Sequence, residues 1–339
     1  MYYQKSLKDM YVNWDGFRDV EEFNIAPHST GIKEYILGIG TTSGGNDVYA
    51  FENVGVVQHK ALHELRLQNG YQYYATLKAV DFANRVTIVV SEPVTIDVTP
   101  PEKSNQPITL TDRHITSKTE VNPCWKDVFT DLESGIDYYM WSIGSEPGYT
   151  DMMSYMKVVG EECGETNENN PLDLKDGHYY YINVRAYNKA GLSSLATSWA
   201  FQVETTPPSA GHVYDGDKTQ ITGSVKDIDF QTETKVLHAY WEGFHDSHST
   251  IKEYYVSVGT CPECEDILSE QAVGITDEFT MENIHLGSGL QYYITVTACN
   301  TADMCTTVTS DGVIIDNSAP VVGSVQDGVG YLDEQYQSM

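Results

Sequence analysis

The chain is poor in basic charge, in long apolar runs and in the short motifs of common catalytic sites. Its 339 residues include 20 Lys and Arg against 49 Asp and Glu, a formal net charge of −29. That balance argues against nucleic acid as a partner, because a phosphate backbone attracts Lys and Arg. It argues equally against an anionic membrane surface. It suits a soluble protein in salty surroundings, read either as serving solubility alone or as marking a protein that meets Ca²⁺. No apolar run approaches the roughly 18 residues of a membrane span, so any membrane attachment would run through parts outside this chain. The opening residues MYYQKS have no apolar h-region, so an extracellular protein would carry its leader outside this chain as well. There is no G-x-S-x-G elbow, no phosphate-binding Gly loop ending in Lys-Ser/Thr, no H-E-x-x-H and no Arg-Gly-Asp. Asn-x-Ser/Thr sequons are also missing. Ser, His and Asp are scattered without a triad spacing, so the expectation is a non-enzymatic protein.

Apolar residues make up 40% of the chain, enough for packed cores. One stretch occurs three times: LQNGYQYYATLKAVD from Leu67 to Asp81, LKDGHYYYINVRAYN from Leu174 to Asn188, and LGSGLQYYITVTACN from Leu286 to Asn300. Each copy holds a Leu, a Gly three residues later, two adjacent Tyr, and an alternating strand ending in Asp or Asn. The spacing between copies, about 110 residues, is that of one small domain and marks a tandem array. Trp14, Trp125 and Trp241 stand before each copy on early strands. Alternating strands at 32–40, 136–144 and 251–259 follow them. The divisions are 1–98, 99–206 and 207–319, with Pro-containing joints at Pro100-Pro101 and Pro207-Pro208. The first division lacks an opening strand. Residues 320–339 read as the start of a further repeat or a tail, since Gly323 to Gly328 matches Gly211 to Gly216. The ragged ends read either as those of a piece cut from a longer array or as complementary, the tail of one copy completing the next by strand donation.

About seven short strands per repeat, with turn signals every 8–12 residues, predict an all-β chain of β-sandwiches. The early Trp, the Tyr on the following strand, and Leu-x-x-Gly-x-x-Tyr before an alternating strand resemble fibronectin type III domains. Asn188-Lys-Ala-Gly191-Leu-Ser193 is similar to the Asn-x-x-Gly-x-Ser turn common there. The Pro-Pro joints and the Asp-Gly turns resemble linkers of invertebrate extracellular repeat proteins. The resemblance implies tandem immunoglobulin-like or fibronectin type III-like sandwiches. In that family the Trp positions and the paired Tyr positions, here Tyr73, Tyr180 and Tyr292, are structural. A Tyr ring fills the gap between the sheets, and its hydroxyl can bond a nearby backbone carbonyl.

The six cysteines are even in number and none lies in the first repeat. Cys124 falls on the second strand of its repeat, and Cys163 just before a strand that neighbours it in a fibronectin-like sheet, so the two would bridge. Cys299 and Cys305 flank a hairpin turn. Cys261 and Cys264 share another turn. A Cys₄ zinc site in the third repeat is the alternative. The two turns lie at opposite ends of a sandwich, about 17–20 Å apart, too far for one zinc. Three disulfides would place the protein in an oxidising compartment, extracellular or at the cell surface.

Asp19, Asp131 and Asp246 recur five or six residues after each Trp, with acidic neighbours Glu21, Glu22, Asp127, Glu133 and Glu242. They are the metal candidates, as Ca²⁺ ligands, against the plainer reading that each caps its turn. Joint carboxylates (Asp97; Glu204 with Asp215 and Asp217; Asp316 with Asp327) are a second Ca²⁺ candidate, as a clamp between domains. His59 and His63 lie on a strand, too far apart to share an ion. His245 and His248 fall in a loop. No other cofactor is implied. The functional expectation is an extracellular structural or adhesion module, a spacer and interaction array for other proteins or glycans. Alternatives are a ligand-binding receptor ectodomain and the accessory domains of a larger secreted enzyme.

Overall fold

Residues 2–19, 31–110, 114–166, 172–219 and 227–325 are described by the computed structural model. The chain separates into two compact units, Met1–Val203 and Glu204–Met339. Every regular element among the described residues is a strand.

The first unit holds two sandwiches. The first contains β1 (Tyr2–Gln4), β2 (Met10–Asn13), β3 (Ile32–Gly40), β4 (Tyr49–Gly55), β5 (His59–Leu62), β6 (Gln72–Asp81), β7 (Val86–Val90) and β8 (Val94–Ile96). One sheet has the order β1-β8-β6-β3-β4 with β7 on β6, and the other pairs β2 with β5. β7 and β8 are the two parts of one expected last strand. They are separated at Pro93, which has no N–H to give a ladder. Where the sequence reading leaves this repeat without an opening strand, β1 is present and runs parallel to β8, with Tyr2 opposite Val94.

The second sandwich contains β9 (Glu102–Lys103), β10 (His114–Ile115), β11 (Phe129–Thr130), β12 (Ile136–Gly144), β13 (Met153–Val158), β14 (Tyr179–Asn188), β15 (Ser193–Thr197) and β16 (Phe201–Val203). Its larger sheet repeats the order, β10-β16-β14-β12-β13 with β15 on β14. The expected strand through Cys124 is reduced to isolated bridges to Thr109 and Cys163. Pro123 removes one donor from that strand. What remains is a narrow pair: Trp125 N–H donates to Glu162 O and Gly164 N–H to Pro123 O, with the Cys124–Cys163 disulfide between them.

The second unit contains β17 (His212–Asp215), β18 (Phe230–Gln231), β19 (Val236–Glu242), β20 (Ile251–Gly259), β21 (Leu268–Gly274), β22 (Glu278–Glu282), β23 (Gln291–Asn300), β24 (Cys305–Thr309) and β25 (Val313–Ile315). One sheet is β17-β19-β22 and the other β18-β25-β23-β20-β21 with β24 on β23. Each sheet has an early strand at its edge: β17 pairs antiparallel with β19 in one, and β18 runs parallel to β25 in the other. Cys299 and Cys305 are direct cross-strand partners on β23 and β24 and are disulfide-bonded, as are Cys261 and Cys264 in the turn after β20. The four sulfurs of the zinc alternative are therefore divided between two disulfides.

The repeated sequence motif has a physical basis that recurs three times. Leu67, Leu174 and Leu286 are buried. Gly70, Gly177 and Gly289 have φ near +80° (80°, 77° and 77°), where a Cβ is costly. Their N–H groups donate to the last strand at Ile96 O, Val203 O and Ile315 O. Tyr73, Tyr180 and Tyr292 are buried, and each hydroxyl accepts the backbone N–H five residues earlier, from Gln68, Lys175 and Gly287 at 2.8–3.0 Å. The expected carbonyl partner is thus replaced by an N–H, because the turn after each Leu points that orphan donor inward. Trp125 and Trp241 are fully buried, whereas Trp14 is half-buried. Each packs on the Tyr of the next strand (Tyr35, Tyr139, Tyr254) at 5.5–5.6 Å between ring centres.

Candidate functional site

At the end of β14 the chain turns back into β15, and Asn188 serves that turn first. Its Oδ1 accepts the Leu192 N–H at 2.7 Å. The other end of the amide is left to face the joint that follows β8. There Asn188 Nδ2 lies 2.9 Å from Asp97 Oδ2, 3.0 Å from Thr99 O and 2.9 Å from Asp131 Oδ2. Asp97 is fully buried, and its Oδ1 accepts both the N–H and the hydroxyl of Thr99. Asp131 Oδ1 accepts the N–H groups of Ser134 and Gly135. A second tie runs from Asn69 of the first sandwich. Its Oδ1 accepts the Val98 N–H, and its Nδ2 donates to Glu133 Oε1 at 2.9 Å. Ser194 Oγ donates to Pro101 O. The joint between the first two sandwiches is therefore pinned by polar side chains that each satisfy a local turn as well. One oxygen from each of Asp97, Asp131 and Glu133 lies within 4.8 Å of the others.

The second unit repeats the arrangement within itself. Glu204, fully buried, accepts the N–H and hydroxyl of Thr206 through Oε1. Asn300, at the end of β23, donates to Thr206 O and to Asp246 Oδ2, both at 3.0 Å. Its Oδ1 accepts the N–H groups of Ala302 and Met304. Asp246 Oδ1 accepts the His248 and Ser249 N–H groups. Burial alone would raise the Asp246 pKa, but those donors and the Asn300 amide bring it down to about 2. Thr306 Oγ1 donates to Pro208 O at 2.5 Å, the counterpart of Ser194 and Pro101.

The first sandwich has an Asp where the others have Asn. Asp81 ends β6 and accepts the backbone N–H and Nε of Arg85 at 2.8 and 2.7 Å. Arg85 Nη2 reaches to within 3.9 Å of Asp19. A cation thus bridges Asp19 and Asp81, where a neutral amide contacts Asp131 or Asp246 in the other two repeats.

Asp131 and Asp246 thus spend both oxygens on turn N–H groups and an Asn amide. Glu21, Glu22 and Asp327 lie outside the described residues. Asp217 and Asp316 accept from residues two places on, Thr219 and Ser318. Glu242 accepts the Tyr214 hydroxyl. His63 sits 2.9 Å from Asp9, and His59 stacks on Tyr11. His245 Nδ1 is 3.1 Å from Gly243 O.

One recurrent feature escaped the sequence reading. Asp47, Asp151 and Asp266 each accept the backbone N–H and hydroxyl of a Thr or Ser six residues earlier, at Thr41, Ser145 and Thr260. Hydrogen bonds to those residues hold all three carboxyl pKa values low. The signal was present as Gly-Thr/Ser followed by Asp at fixed spacing in every repeat.

No family model matches the chain, and no curated protein does. Solved structures do resemble it. Three fibronectin domains of chicken CNTN1 share 13% identity, covering 91% of this chain and 94% of theirs at a TM-score of 0.31. Fibronectin(III)-like modules of CbhA from Clostridium thermocellum share 11%, covering 62% and 94% at 0.35. Domains of titin share 15%, covering 92% and 100% at 0.39. The strand order and register described above are those of all-β tandem sandwiches of the immunoglobulin-like or fibronectin type III-like fold.

Proposed function

We propose that the chain is a non-enzymatic extracellular spacer and protein-interaction array. In this reading 1–98, 99–206 and 207–319 are three sandwiches, and 320–339 opens a further repeat or a tail. The observation that carries it is the joint at Asn188. A flexible tether needs no buried carboxylate, yet Asp97 is fully buried at the end of β8 and held by three donor groups from Thr99 and Asn188. Fixing that segment orients one sandwich on the next, and the Pro-Pro pair beyond it restricts φ further. Loops held at set positions are then available to other proteins or glycans. Three disulfides support residence in an oxidising compartment, outside the cell or on its surface.

Pulling the full chain end to end in a force spectrometer tests the reading. Three separate unfolding events are expected, one for each sandwich. A single event, or a featureless extension without force peaks, would contradict a load-bearing array of three.

A further inference from the structure

At the edge of the third sandwich, away from Asn300, three carboxylates meet without any base beside them among the described residues. Asp215 ends β17. Asp227 lies just before β18. Asp311 sits in the turn between β24 and β25. One oxygen from each lies within 4.8 Å of the other two. Asp215 is fully buried. Its Oδ2 accepts the Gly312 N–H at 3.0 Å, but its Oδ1 is sealed from solvent with no hydrogen-bond partner. Asp227 Oδ1 accepts the Asp215 and Ile228 N–H groups. Asp311 is exposed and gives the cluster an open side.

An ionised carboxylate oxygen left dry and unpaired is among the costliest states a fold can hold. Like charges from Asp227 and Asp311 add to that cost. Burial, with those charges behind it, pushes the Asp215 carboxyl up to about 7, against the pull of Ser310 and the Gly312 N–H. Burial also raises Asp227. Either a proton or a cation must therefore neutralise the group near neutral pH.

We propose that Asp215, Asp227 and Asp311 form a site for a hard divalent cation of the Ca²⁺ class, internal to the third sandwich. The geometry suits it. Oxygens on one Ca²⁺ sit at about 2.3–2.6 Å from the ion, so two of them span up to about 5 Å. Three anionic oxygens with an open side for water match the ligand preference of Ca²⁺ and Mg²⁺ and not that of thiolate- or imidazole-seeking metals. The site would tie β17, in one sheet, to the segment entering β18 and the turn before β25, in the other. It differs from the inter-domain clamp considered from sequence, since neither Glu204 nor Asp217 takes part.

The test is isothermal titration calorimetry of the full chain, stripped with EDTA and held in 150 mM KCl to screen diffuse binding to its acidic surface. CaCl₂ and MgCl₂ are titrated separately. The expected result is saturable Ca²⁺ binding that D311N weakens by about tenfold or more. D215N should abolish it, and D131N should leave it intact. Asp311 is exposed, so D311N reports on ligation without disturbing the core. Ca²⁺ at a fixed concentration that saturates the wild type should also raise its melting temperature by more than that of D311N. No saturable heat, or heat unaltered by D311N, would overturn the proposal. So would a melting temperature at neutral pH that ignores Ca²⁺ yet rises on mild acidification, since a shared proton would then be the neutralising partner.

Discussion

Asn188 Nδ2 stands 2.9 Å from Asp97 Oδ2 and 2.9 Å from Asp131 Oδ2, so one neutral amide lies between two carboxylates from different sandwiches. Hydrogen bonds to charged acceptors contribute about 1.5–3 kcal/mol each. Asn188→Asp is the informative change. A carboxylate can still accept the Leu192 N–H, as Asp81 accepts that of Arg85, so the turn survives. The donors vanish, and a third negative charge joins the pair. Urea denaturation should show a loss of about 2–3 kcal/mol. A loss below about 0.5 kcal/mol would mean that the amide contributes little to holding the joint.

The three tyrosine hydroxyls give a prediction that is the same in every repeat. Tyr73→Phe, Tyr180→Phe and Tyr292→Phe each keep the ring and strand one backbone N–H without its acceptor. Each should cost about 1–3 kcal/mol in chemical denaturation. Loss in one repeat alone would show that the shared motif does not have a shared energetic role.

Asp246 sets an acid limit on the second unit. Its pKa is about 2 in the fold, below the ordinary 3.8. A depressed carboxylate stabilises the fold above its unfolded pKa, and the contribution is lost as pH falls from about 4 through 2. With solvent screening the loss is on the order of 1–2 kcal/mol. Asp246→Asn should lower stability at pH 7 and flatten the decline between about pH 4 and 2. An unchanged slope in the variant would refute the assignment.

The disulfides should differ in weight. Cys124–Cys163 closes 39 residues and Cys299–Cys305 closes 6. Loop entropy then gives about 4 and about 2 kcal/mol. Replacing each pair by Ala and comparing urea midpoints should reproduce that order. Under force, the intact Cys124–Cys163 bridge should shorten one sandwich's extension by about 130–140 Å, restored on adding reductant. Equal extension before and after reduction would contradict the bridge.

Much of this architecture was legible from residues that serve the backbone. Leu67, Gly70 and Tyr73, with their two sets of counterparts, repeat because a core position, a positive φ and an orphan N–H recur together. The strand-ending Asp81, Asn188 and Asn300 were visible as a pattern, but their role was not. Their partners Asp97, Thr206, Asp131 and Asp246 are distant in sequence, and only strand pairing brings them together. The same holds for Asp227 and Asp311, which lie 84 residues apart and carry no local signature. Asp131 and Asp246 stood out as cation ligands because they recur after each Trp with acidic neighbours; in the fold Oδ1 of each accepts turn N–H groups and Oδ2 accepts an Asn amide. Charge density in sequence does not distinguish an oxygen that is satisfied from one that is stranded, and Asp215, which carries the stranded one, stood out in the sequence only as part of a joint clamp with Glu204 and Asp217.

The central claim is that Asn188 fixes the first sandwich against the second. Spin labels on an unnatural amino acid at exposed Val89 and Tyr149, leaving the disulfides intact, would measure the distance between them in the full chain by pulsed dipolar spectroscopy. A single narrow distance distribution is predicted for the wild type, broadened by Asn188→Asp and unaffected by Asn300→Asp. A distribution already broad in the wild type, or one that Asn188→Asp leaves narrow, would contradict a joint held by that amide.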